Sequence, residues 1–253
     1  MKRNLVFGLT FVLLLGLLAS PLPILTAQEA AKSDPKALQV LEKMIEAMGG
    51  RKVLRAVKDM TATGTLEIVM QGMAGSATLY TKTPQKFRMD IELMGMLITQ
   101  AYDGEIGWFT NPQSGAVEEL TGEQLVQMKR QALGDSVYLE PEKHGIVYTH
   151  QGQEKLEDTA YDVLRMVYAD GYEVTLYIDT QTHLVNKTKS LQPNMMTGAE
   201  SLMESYTTDY RKIEGMMAAF NITQYMDGEE FMIITLDEVK FNTGLDDSLF
   251  AKQ

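Results

Sequence analysis

Methionine is the residue type in this chain with the clearest chemical potential, because the sequence contains 18 methionines and no cysteine. An unbranched, polarizable thioether suits a surface that repacks around ligands of variable shape, and it suits an adaptable protein core equally well. Thioether pairs could also bind copper(I), and the candidates are Met94 with Met96 and Met195 with Met196. Because no histidine lies within three residues of either pair, we favour an apolar role and predict no metal site.

The other reactive residues form no recognisable catalytic or cofactor motif. The three histidines, His144, His150 and His183, stand too far apart for a local metal-binding motif. No serine lies in a Gly-x-Ser-x-Gly sequence, and no glycine-rich phosphate loop follows a strand-like segment. Three carboxylate pairs fall where turns and sheet edges are expected, and we interpret them as solvated charge: Glu118-Glu119, Glu229-Glu230 and Asp246-Asp247. We therefore predict neither catalysis nor a bound cofactor.

The first 27 residues have the layout of a secretory signal peptide. A basic start at Lys2 and Arg3 precedes an apolar run from Leu5 to Ala19, and small residues follow it. This run is shorter than the roughly 20 residues that a membrane-spanning helix needs, so a retained anchor is the weaker interpretation. We expect cleavage after Ala27 and a mature domain, residues 28–253, in the periplasm.

The composition excludes several kinds of partner and covalent linkage for that domain. The net charge is −11, and removal of Lys2 and Arg3 takes it to −13 (−11 − 2). Such a surface repels nucleic acid, which excludes a nucleic-acid-binding role. The absence of cysteine excludes disulfides and a lipid-modified N-terminal cysteine. No proline- or glycine-rich linker divides the chain, so we expect one domain. We also expect a monomer.

Three segments are predicted to be helices that could cover a sheet. They span residues 35–48, residues 52–57, and a stretch that begins at Thr121. In the first, Leu38, Leu41, Ile45 and Met48 form one apolar stripe, and Gly49-Gly50 ends the helix. In the third, Thr121 and Gln124 have the spacing of a capping box.

Most of the remaining sequence is typical of strands and turns. Along residues 86–93, apolar side chains alternate with charged ones, which indicates a sheet with one solvent-exposed face. We predict about ten to eleven strands, covering residues 60–70, 76–83, 86–93, 96–102, 107–110, 146–153, 160–168, 172–179, 184–191, 218–226 and 229–242. The fold class is therefore mainly β: a single curved antiparallel sheet, an incomplete barrel, with about three helices lidding its concave face.

Two dipeptides predict how neighbouring strands align. Asp170-Gly171 and Asp227-Gly228 are each interpreted as a two-residue hairpin turn, in which glycine supplies a positive φ. The first turn would place Arg165 opposite Leu176, and the second would place Ile222 opposite Ile233. Residues 192–201 lack a clear period and are the best candidate for a mobile loop.

Three segments together resemble the outer-membrane lipoprotein-sorting (LolA/LolB-like) superfamily. They are Gln100–Trp108 with Asn111-Pro112, then Asp170–Asp179 leading through Thr182 to Leu184, and finally Asp209–Gly215. The likeness extends from about Leu38 to Phe250, and Ala219 stands where the superfamily usually has proline. The resemblance implies an incomplete β-barrel whose helices lid a hydrophobic cavity. It also implies a carrier that shields acyl chains of lipoproteins or lipids between inner-membrane donor and outer-membrane acceptor proteins.

The predicted lipid-binding residues come from the early strands and from the helix after Thr121. They are Leu66, Ile68, Met70, Phe87, Met89, Ile91, Leu125 and Met128. Trp108, the only tryptophan, could stack on a ligand at a cavity mouth or cap the core of the sheet. Two alternatives to a carrier stay open. One is an envelope sensor or scaffold with the same fold, and the other is an enzyme, which would require a tight cluster of buried ionisable groups.

Overall fold

The computed structural model describes residues 32–193 and 199–253, and the predicted signal peptide, residues 1–27, lies outside them. The described residues form thirteen β-strands and four α-helices. The helices are α1 Pro35–Ala47, α2 Arg51–Ala56, α3 Gly122–Ala132 and α4 Ser136–Leu139. The strands are β1 Asp59–Ile68, β2 Met73–Lys82, β3 Lys86–Leu93, β4 Met96–Tyr102, β5 Gly107–Thr110, β6 Val117–Glu119, β7 Val147–Leu156, β8 Thr159–Val167, β9 Glu173–Asp179, β10 Val185–Pro193, β11 Glu200–Ile213, β12 Met216–Met226 and β13 Glu229–Phe241.

All thirteen strands belong to one antiparallel sheet, in the order β6-β5-β4-β3-β2-β1-β13-β12-β11-β10-β9-β8-β7. From β1 the chain meanders outward to β6, and β13 then returns to pair with β1 on its other side. The two edges are β6 and β7, so the sheet is curved but not closed. The predicted fold class, a single curved antiparallel sheet that is not closed, is confirmed. The predicted ten to eleven strands and three helices are fewer than the thirteen strands and four helices of the described residues.

The two strands that the sequence did not predict are β6 and β11. Strand β6 has only three residues, which is too short to show alternation. Strand β11 has fourteen residues, and polar side chains occupy both of its faces over much of its length. Of the predicted loop at 192–201, the first two residues belong to β10 and the last two to β11, while residues 194–198 lie outside the described part of the chain.

The turn at Asp170-Gly171 is one residue longer than predicted. The amide of Tyr168 donates to the carbonyl of Tyr172, and Gly171 adopts a φ of 87°. This geometry is a three-residue loop that ends in a left-handed glycine. Arg165 therefore pairs with Thr175 instead of Leu176, and each predicted partner on β9 is displaced by one residue.

The turn at Asp227-Gly228 forms as predicted, with positive φ at both residues and Met226 opposite Glu229. A bulge then shifts the register between Gln224 and Tyr225. As a result, Ile222 lies opposite Ile234 instead of the predicted Ile233. Bulges add a residue to one strand without a clear composition signal, which is why the turn was predictable and the pairing beyond it was not.

Helix α1 covers the sheet face that we call the inner face. Asp34 caps the helix, because its Oδ1 accepts from the amide of Ala37 at 2.6 Å, and Pro35 occupies the first turn. The predicted stripe is rotated, since Leu38 is 41% exposed and Met44 is fully buried. The buried residues around α1 form the larger cluster: Ala37, Val40, Leu41, Met44, Ile45, Leu54, Ala62, Val137, Ile146, Tyr148, Leu164, Met166, Leu176, Ile178, Met216, Phe220, Val239 and Phe241.

Helix α3 covers a second part of the inner face, over β3 and β4. Thr121 is its N-cap residue, but its side chain makes no capping hydrogen bond, so the predicted capping box does not form. The buried residues beneath α3 form the smaller cluster: Phe87, Tyr102, Leu120, Met128 and Ala132. Leu79 packs against both clusters. Across residues 32–193 and 199–253, no helix is long and apolar enough to cross a bilayer.

The C-terminal segment covers the opposite face at β3 to β5. Phe250 is fully buried, and its carbonyl accepts from Nε1 of Trp108 at 2.9 Å. Arg88 lies beside this pair and donates to the carbonyl of Leu249 at 2.7 Å. Trp108 is 1% exposed, so of its two predicted roles the structure supports the cap on the core.

Candidate functional site

Seven of the eight predicted lipid-binding residues lie on the inner face of the sheet or on the helix that covers it. Ala62 of the larger cluster pairs with Leu79, and Leu79 pairs with Met89. Because side chains alternate along a strand, Leu66 and Ile68 share the face of Ala62, as Phe87 and Ile91 share the face of Met89. From α3, Met128 is buried in the smaller cluster and Leu125 packs against it.

Met70 does not join this group. Strand β1 ends at Ile68, and Met70 lies in a short 3₁₀ turn, Val69–Gln71, that precedes a left-handed Gly72. Its side chain is 66% exposed. The alternation that predicted a strand as far as Met70 ignored the glycine, whose positive φ of 60° begins the return into β2.

The apolar part of the inner face extends beyond the predicted residues. Ile98 pairs with Ile91 on one side. On the other side, Ile234 pairs with both Leu66 and Ile222. We call the whole set the inner stripe: Leu66, Ile68, Ala77, Met89, Ile91, Ile98, Ile222, Met232 and Ile234. The sequence contained the apolar pattern of β12 and β13, but the bulge at Gln224 hid which of its residues share a face.

The inner stripe is covered less tightly than the larger cluster. Leu66 is buried, whereas the other eight members retain part of their surface. A row of partly exposed aliphatic and thioether side chains across β1 to β4, β12 and β13 is an apolar surface with room for further contacts. Chemically, it can take up hydrocarbon without any need for a charged partner.

A cleft of about 280 Å³ opens between α3 and the strands of this stripe. Its floor includes Ile91, Ile98 and Phe109, and Met128 contributes from the helix. Glutamines line the helix side, at Gln124, Gln127 and Gln131, and none of the lining residues is charged. Small-molecule sites usually enclose about 300–1,000 Å³, so the cleft is at the lower limit for a ligand as it stands. Uptake of a longer chain would require α3 to move outward.

Helix α3 is held over the cleft by one arginine. Arg130 donates to Asp170 of the β8–β9 turn at 2.7 Å, and to Glu123 of the same helix at 3.3 Å. Its guanidinium also lies 4.2 Å from the ring centroid of Tyr172. Burial alone would raise the pKa of Asp170, but hydrogen bonds from Tyr172 and Arg130 outweigh it and lower the pKa. The pair therefore stays charged and links α3, which lies over β3 and β4, to the distant β8–β9 turn.

A second depression, of about 420 Å³, lies against the C-terminal segment and is strongly polar. Its lining includes Lys86, Asp103, Glu105 and Asp247. Asp247 is already paired with Lys82 at 2.6 Å. Carboxylates outnumber lysines in this lining, and the site offers no apolar surface comparable to the inner stripe.

The residues considered for metal chemistry do not converge. Within residues 32–193 and 199–253, no group of three or more His, Asp or Glu side chains could hold a metal ion. Met94 and Met96 flank the turn between β3 and β4 and are 77% and 47% exposed, while Met195 and Met196 lie outside the described residues. His150 is committed elsewhere, since its Nε2 lies 2.9 Å from Oδ1 of Asp162.

The paired carboxylates lie where solvated charge was predicted. Glu118 and Glu119 are exposed on β6, and Glu119 pairs with Lys252 at 2.8 Å. Glu229 begins β13, directly after a turn, and is exposed. Asp246 caps the last 3₁₀ turn by accepting from the amide of Ser248. Each has a structural or solvated role that accounts for its position.

Solved structures with the same fold come from several bacteria. A DUF1329 family protein from Desulfovibrio piger matches with a TM-score of 0.62 and 13% identity, over 87% of this chain and 98% of that one. An outer membrane lipoprotein-sorting protein domain from Vibrio parahaemolyticus matches with a TM-score of 0.57 and 13% identity, over 86% and 97%. A LolA superfamily protein from Nitrosomonas europaea matches with a TM-score of 0.57 and 16% identity, over 85% and 97%.

No protein-family model matches the sequence, and no curated protein is significantly similar to it. At these identities, the likeness to solved structures concerns the fold. The fold is LolA-like, in agreement with the resemblance of the three sequence segments.

Proposed function

We propose that this protein is an exported, periplasmic carrier or receptor that shields acyl chains of lipoproteins or lipids for transfer toward the outer membrane. The observation that carries the proposal is the inner stripe, which presents partly exposed apolar side chains beside an uncharged cleft. The role is one of binding, without catalysis or a cofactor. The signal-peptide pattern of residues 1–27 and the LolA-like fold support the location and the cargo class.

The energetics of acyl chains make such a shield necessary. Each methylene group removed from water contributes about 0.8 kcal/mol, so an unshielded lipid leaves a membrane very slowly. The shield must also release its cargo, which favours a surface that repacks over one that fits a single shape. Met89 and Met232 supply that adaptability in the stripe, since methionine has a flexible side chain and a polarizable sulfur.

Helix α3 is the movable cover in this proposal. It packs on the stripe through Leu125 and Met128 and is held on its other side by Arg130. An ion pair of this kind, partly accessible to water, is worth about 1 kcal/mol or less. Cargo whose methylene groups replace the apolar contacts of Leu125 and Met128 can therefore displace α3 without unfolding the larger cluster.

Native mass spectrometry of protein purified without detergent tests the proposal. The wild-type protein should carry lipid masses, and Met89→Glu should remove them because a carboxylate would face the acyl chain. The matched control is Thr65→Glu, an exposed site on the opposite face of β1. An unchanged lipid load in Met89→Glu, or an equal loss in both variants, would contradict binding at the inner stripe.

A transfer assay separates a carrier from a sensor or scaffold. Donor vesicles containing a fluorescent lipid are mixed with unlabelled acceptor vesicles, with and without the protein. A carrier accelerates the exchange in proportion to its concentration, whereas a sensor binds lipid and leaves the exchange rate unchanged.

A further inference from the structure

The most exposed large apolar side chains of the described residues lie at one end of the sheet. Five of them are between 47% and 77% exposed, and the next in rank, Leu38, is 41% exposed. We call the five residues the apolar rim: Met70, Met94, Met96, Leu97 and Leu191. Single apolar side chains on a protein surface are common, so the informative observation is the location that these five share.

Strand pairing places four members of the rim beside two neighbouring turns. Met70 lies in the turn between β1 and β2, and Met94 lies in the turn between β3 and β4. Leu93, just before the second turn, pairs with Gly75, only two residues after the start of β2. The two turns are therefore at the same end of the sheet. Met96 and Leu97 are the first two residues of β4, directly after the second turn.

Leu191 lies at the same end, on the other side of β1. It pairs with Leu202 of β11, whose amide donates to Oδ1 of Asp227 in the β12–β13 turn at 2.8 Å. Soon after that turn, Met232 of β13 pairs with Ile68, the last residue of β1. The rim therefore follows one end of the curved sheet from β4 to β10, a length of roughly 30 Å at about 4.8 Å per strand.

The inner stripe reaches the apolar rim at two strands. Met96 lies two residues before Ile98 of the stripe on β4, so the two side chains share a face. On β1, Ile68 is the last residue of the strand and belongs to the stripe, and Met70 follows in the turn. Ile98 also lines the cleft under α3. Hydrocarbon that leaves the cleft along the stripe therefore meets the rim.

The charges around the rim restrict what can cover it. The turns at residues 69–72, 94–95 and 227–228 contain no lysine or arginine. Exposed carboxylates lie close to the rim in sequence or in the adjoining turn: Glu67, Glu92, Asp227 and Glu229. A second copy of the chain would bring like charges together, and an anionic membrane would repel this end of the sheet.

The side chains of the rim suit a fluid partner better than a rigid one. Protein interfaces depend on Trp, Tyr and Arg anchors that fill fixed pockets, and the rim contains none of these residue types. Methionine and leucine on separate turns are short apolar projections, and methionine adapts to an irregular environment. The interfacial layer of a bilayer accepts such projections without a fixed pocket, and binding then scales with the apolar area inserted.

We propose that the apolar rim docks the protein on the surface of a lipid bilayer of low negative charge, an inference that extends the proposed function and rests on it. The methionine and leucine side chains insert shallowly, and the carboxylates around them stay in water because their burial is costly. In this orientation the end of the inner stripe faces the lipids. An acyl chain can then pass between bilayer and stripe with little exposure to water.

Flotation of the full-length mature protein with lipid vesicles tests the docking. Wild-type protein should bind vesicles of phosphatidylcholine. At low ionic strength it should bind about threefold more weakly when phosphatidylglycerol is mixed in, because the protein and the vesicle are then both negative. Stronger binding to the mixed vesicles would show that cations elsewhere on the protein, and not the rim, make the contact.

Single substitutions locate the contact. Met94→Glu and Met70→Glu should each weaken binding to phosphatidylcholine vesicles about tenfold, because an inserted apolar side chain is replaced by a charge. Ile106→Glu is the matched control and should keep the wild-type affinity. Ile106 is 40% exposed and lies in the turn between β4 and β5, at the opposite end of the sheet. Equal weakening by all three variants would overturn the assignment to the rim.

A fluorescent label gives a second measurement that does not depend on affinity. Because the chain contains no cysteine, Met94→Cys and Ile106→Cys each create one labelling site for an environment-sensitive dye. Phosphatidylcholine vesicles should shift the emission of the dye at position 94 to shorter wavelength and leave that at position 106 unchanged. A shift only at position 106 would reverse the proposed orientation.

An acyl-probe titration without vesicles separates this inference from the function on which it rests. The rim variants should keep the wild-type affinity for the probe, since neither Met70 nor Met94 belongs to the inner stripe. If wild-type protein binds the probe but no vesicles, docking is wrong and the proposed function stands. Dimerisation that Met94→Glu abolishes, without vesicle binding, would assign the rim to a second copy. If the protein binds neither probe nor vesicles, both proposals fail.

Discussion

The larger cluster and the inner stripe are both apolar and lie on the same face of one sheet, yet they are covered to very different degrees. Met44, Ile45 and Leu164 of the larger cluster are fully buried. In the stripe, Met89, Ile91 and Ile234 keep part of their surface. Apolar composition alone therefore does not identify a core. The difference indicates that one region holds the fold together while the other remains available for contacts that the chain does not supply.

Truncation of one side chain in each region tests this difference most directly. Leu164→Ala should lower the free energy of unfolding by about 2–5 kcal/mol, because the surrounding residues cannot collapse into the cavity. Met89→Ala should lower it by less than about 1.5 kcal/mol, since Met89 is already partly exposed and loses less buried apolar surface. Urea denaturation measures both values. Equal losses would mean that the stripe is core after all.

Binding of an acyl chain, unlike stability, should depend strongly on the inner stripe. Ile234→Glu should weaken binding of an acyl probe at least about tenfold, because it places a charge on the hydrocarbon-facing side of β13. Thr235→Glu is the adjacent control, because Thr235 is exposed and points to the other face. Probe titration of the two variants is the measurement. Similar weakening by both would place the ligand elsewhere.

The hold on helix α3 should affect the rate of release more than stability. Arg130→Ala removes the pair with Asp170 and the contact with the Tyr172 ring, together worth about 1–2 kcal/mol. We expect ligand release to become up to about tenfold faster, measured by stopped-flow dilution. Lys129→Ala, at an exposed neighbouring position, should leave the rate unchanged. A release rate that Arg130→Ala does not alter would show that α3 is not the cover.

The smallest expected effect concerns the start of α1, which belongs to the larger cluster. Hydrogen bonds from the amides of Ala37 and His150 lower the pKa of Asp34. Asp34→Ala should therefore cost about 1 kcal/mol at pH 7, the usual value of an N-cap residue. Because the folded-state pKa is lowered, this stabilisation is complete above the unfolded value of 3.8 and is lost as pH falls through the folded value.

Thermal melts of wild type and Asp34→Ala between pH 2 and pH 7 check this dependence. The two melting curves should converge at the acidic end. A difference that stays constant with pH would assign the effect to packing and not to the carboxylate.

Local chemistry explains which parts of the fold could be predicted from the sequence. The bounds of α1 follow from Pro35 and Gly49-Gly50, and the β12–β13 turn follows from Asp227-Gly228, because these residues act through their own backbone geometry. The pairing of Ile222 with Ile234 depends on a bulge. Strand β11 carries too many polar side chains to show a period.

In the candidate site, too, some residues could be predicted from the sequence and others could not. Alternation along β1 and β3 placed Leu66, Ile68, Phe87, Met89 and Ile91 on one face, although it could not decide which face the helices cover. For Met70 the predicted strand was wrong, since an apolar residue continued the alternation beyond the end of β1.

The burial of Trp108 under Phe250 decides which optical signals are informative for this protein. As the sole tryptophan, it dominates the intrinsic fluorescence, and it lies on the face of the sheet turned away from the inner stripe. Its emission therefore reports on the docking of the last few residues. A truncation or tag at that end would change the spectrum without any cargo, while ligand uptake under α3 would pass nearly unseen unless an external dye is used.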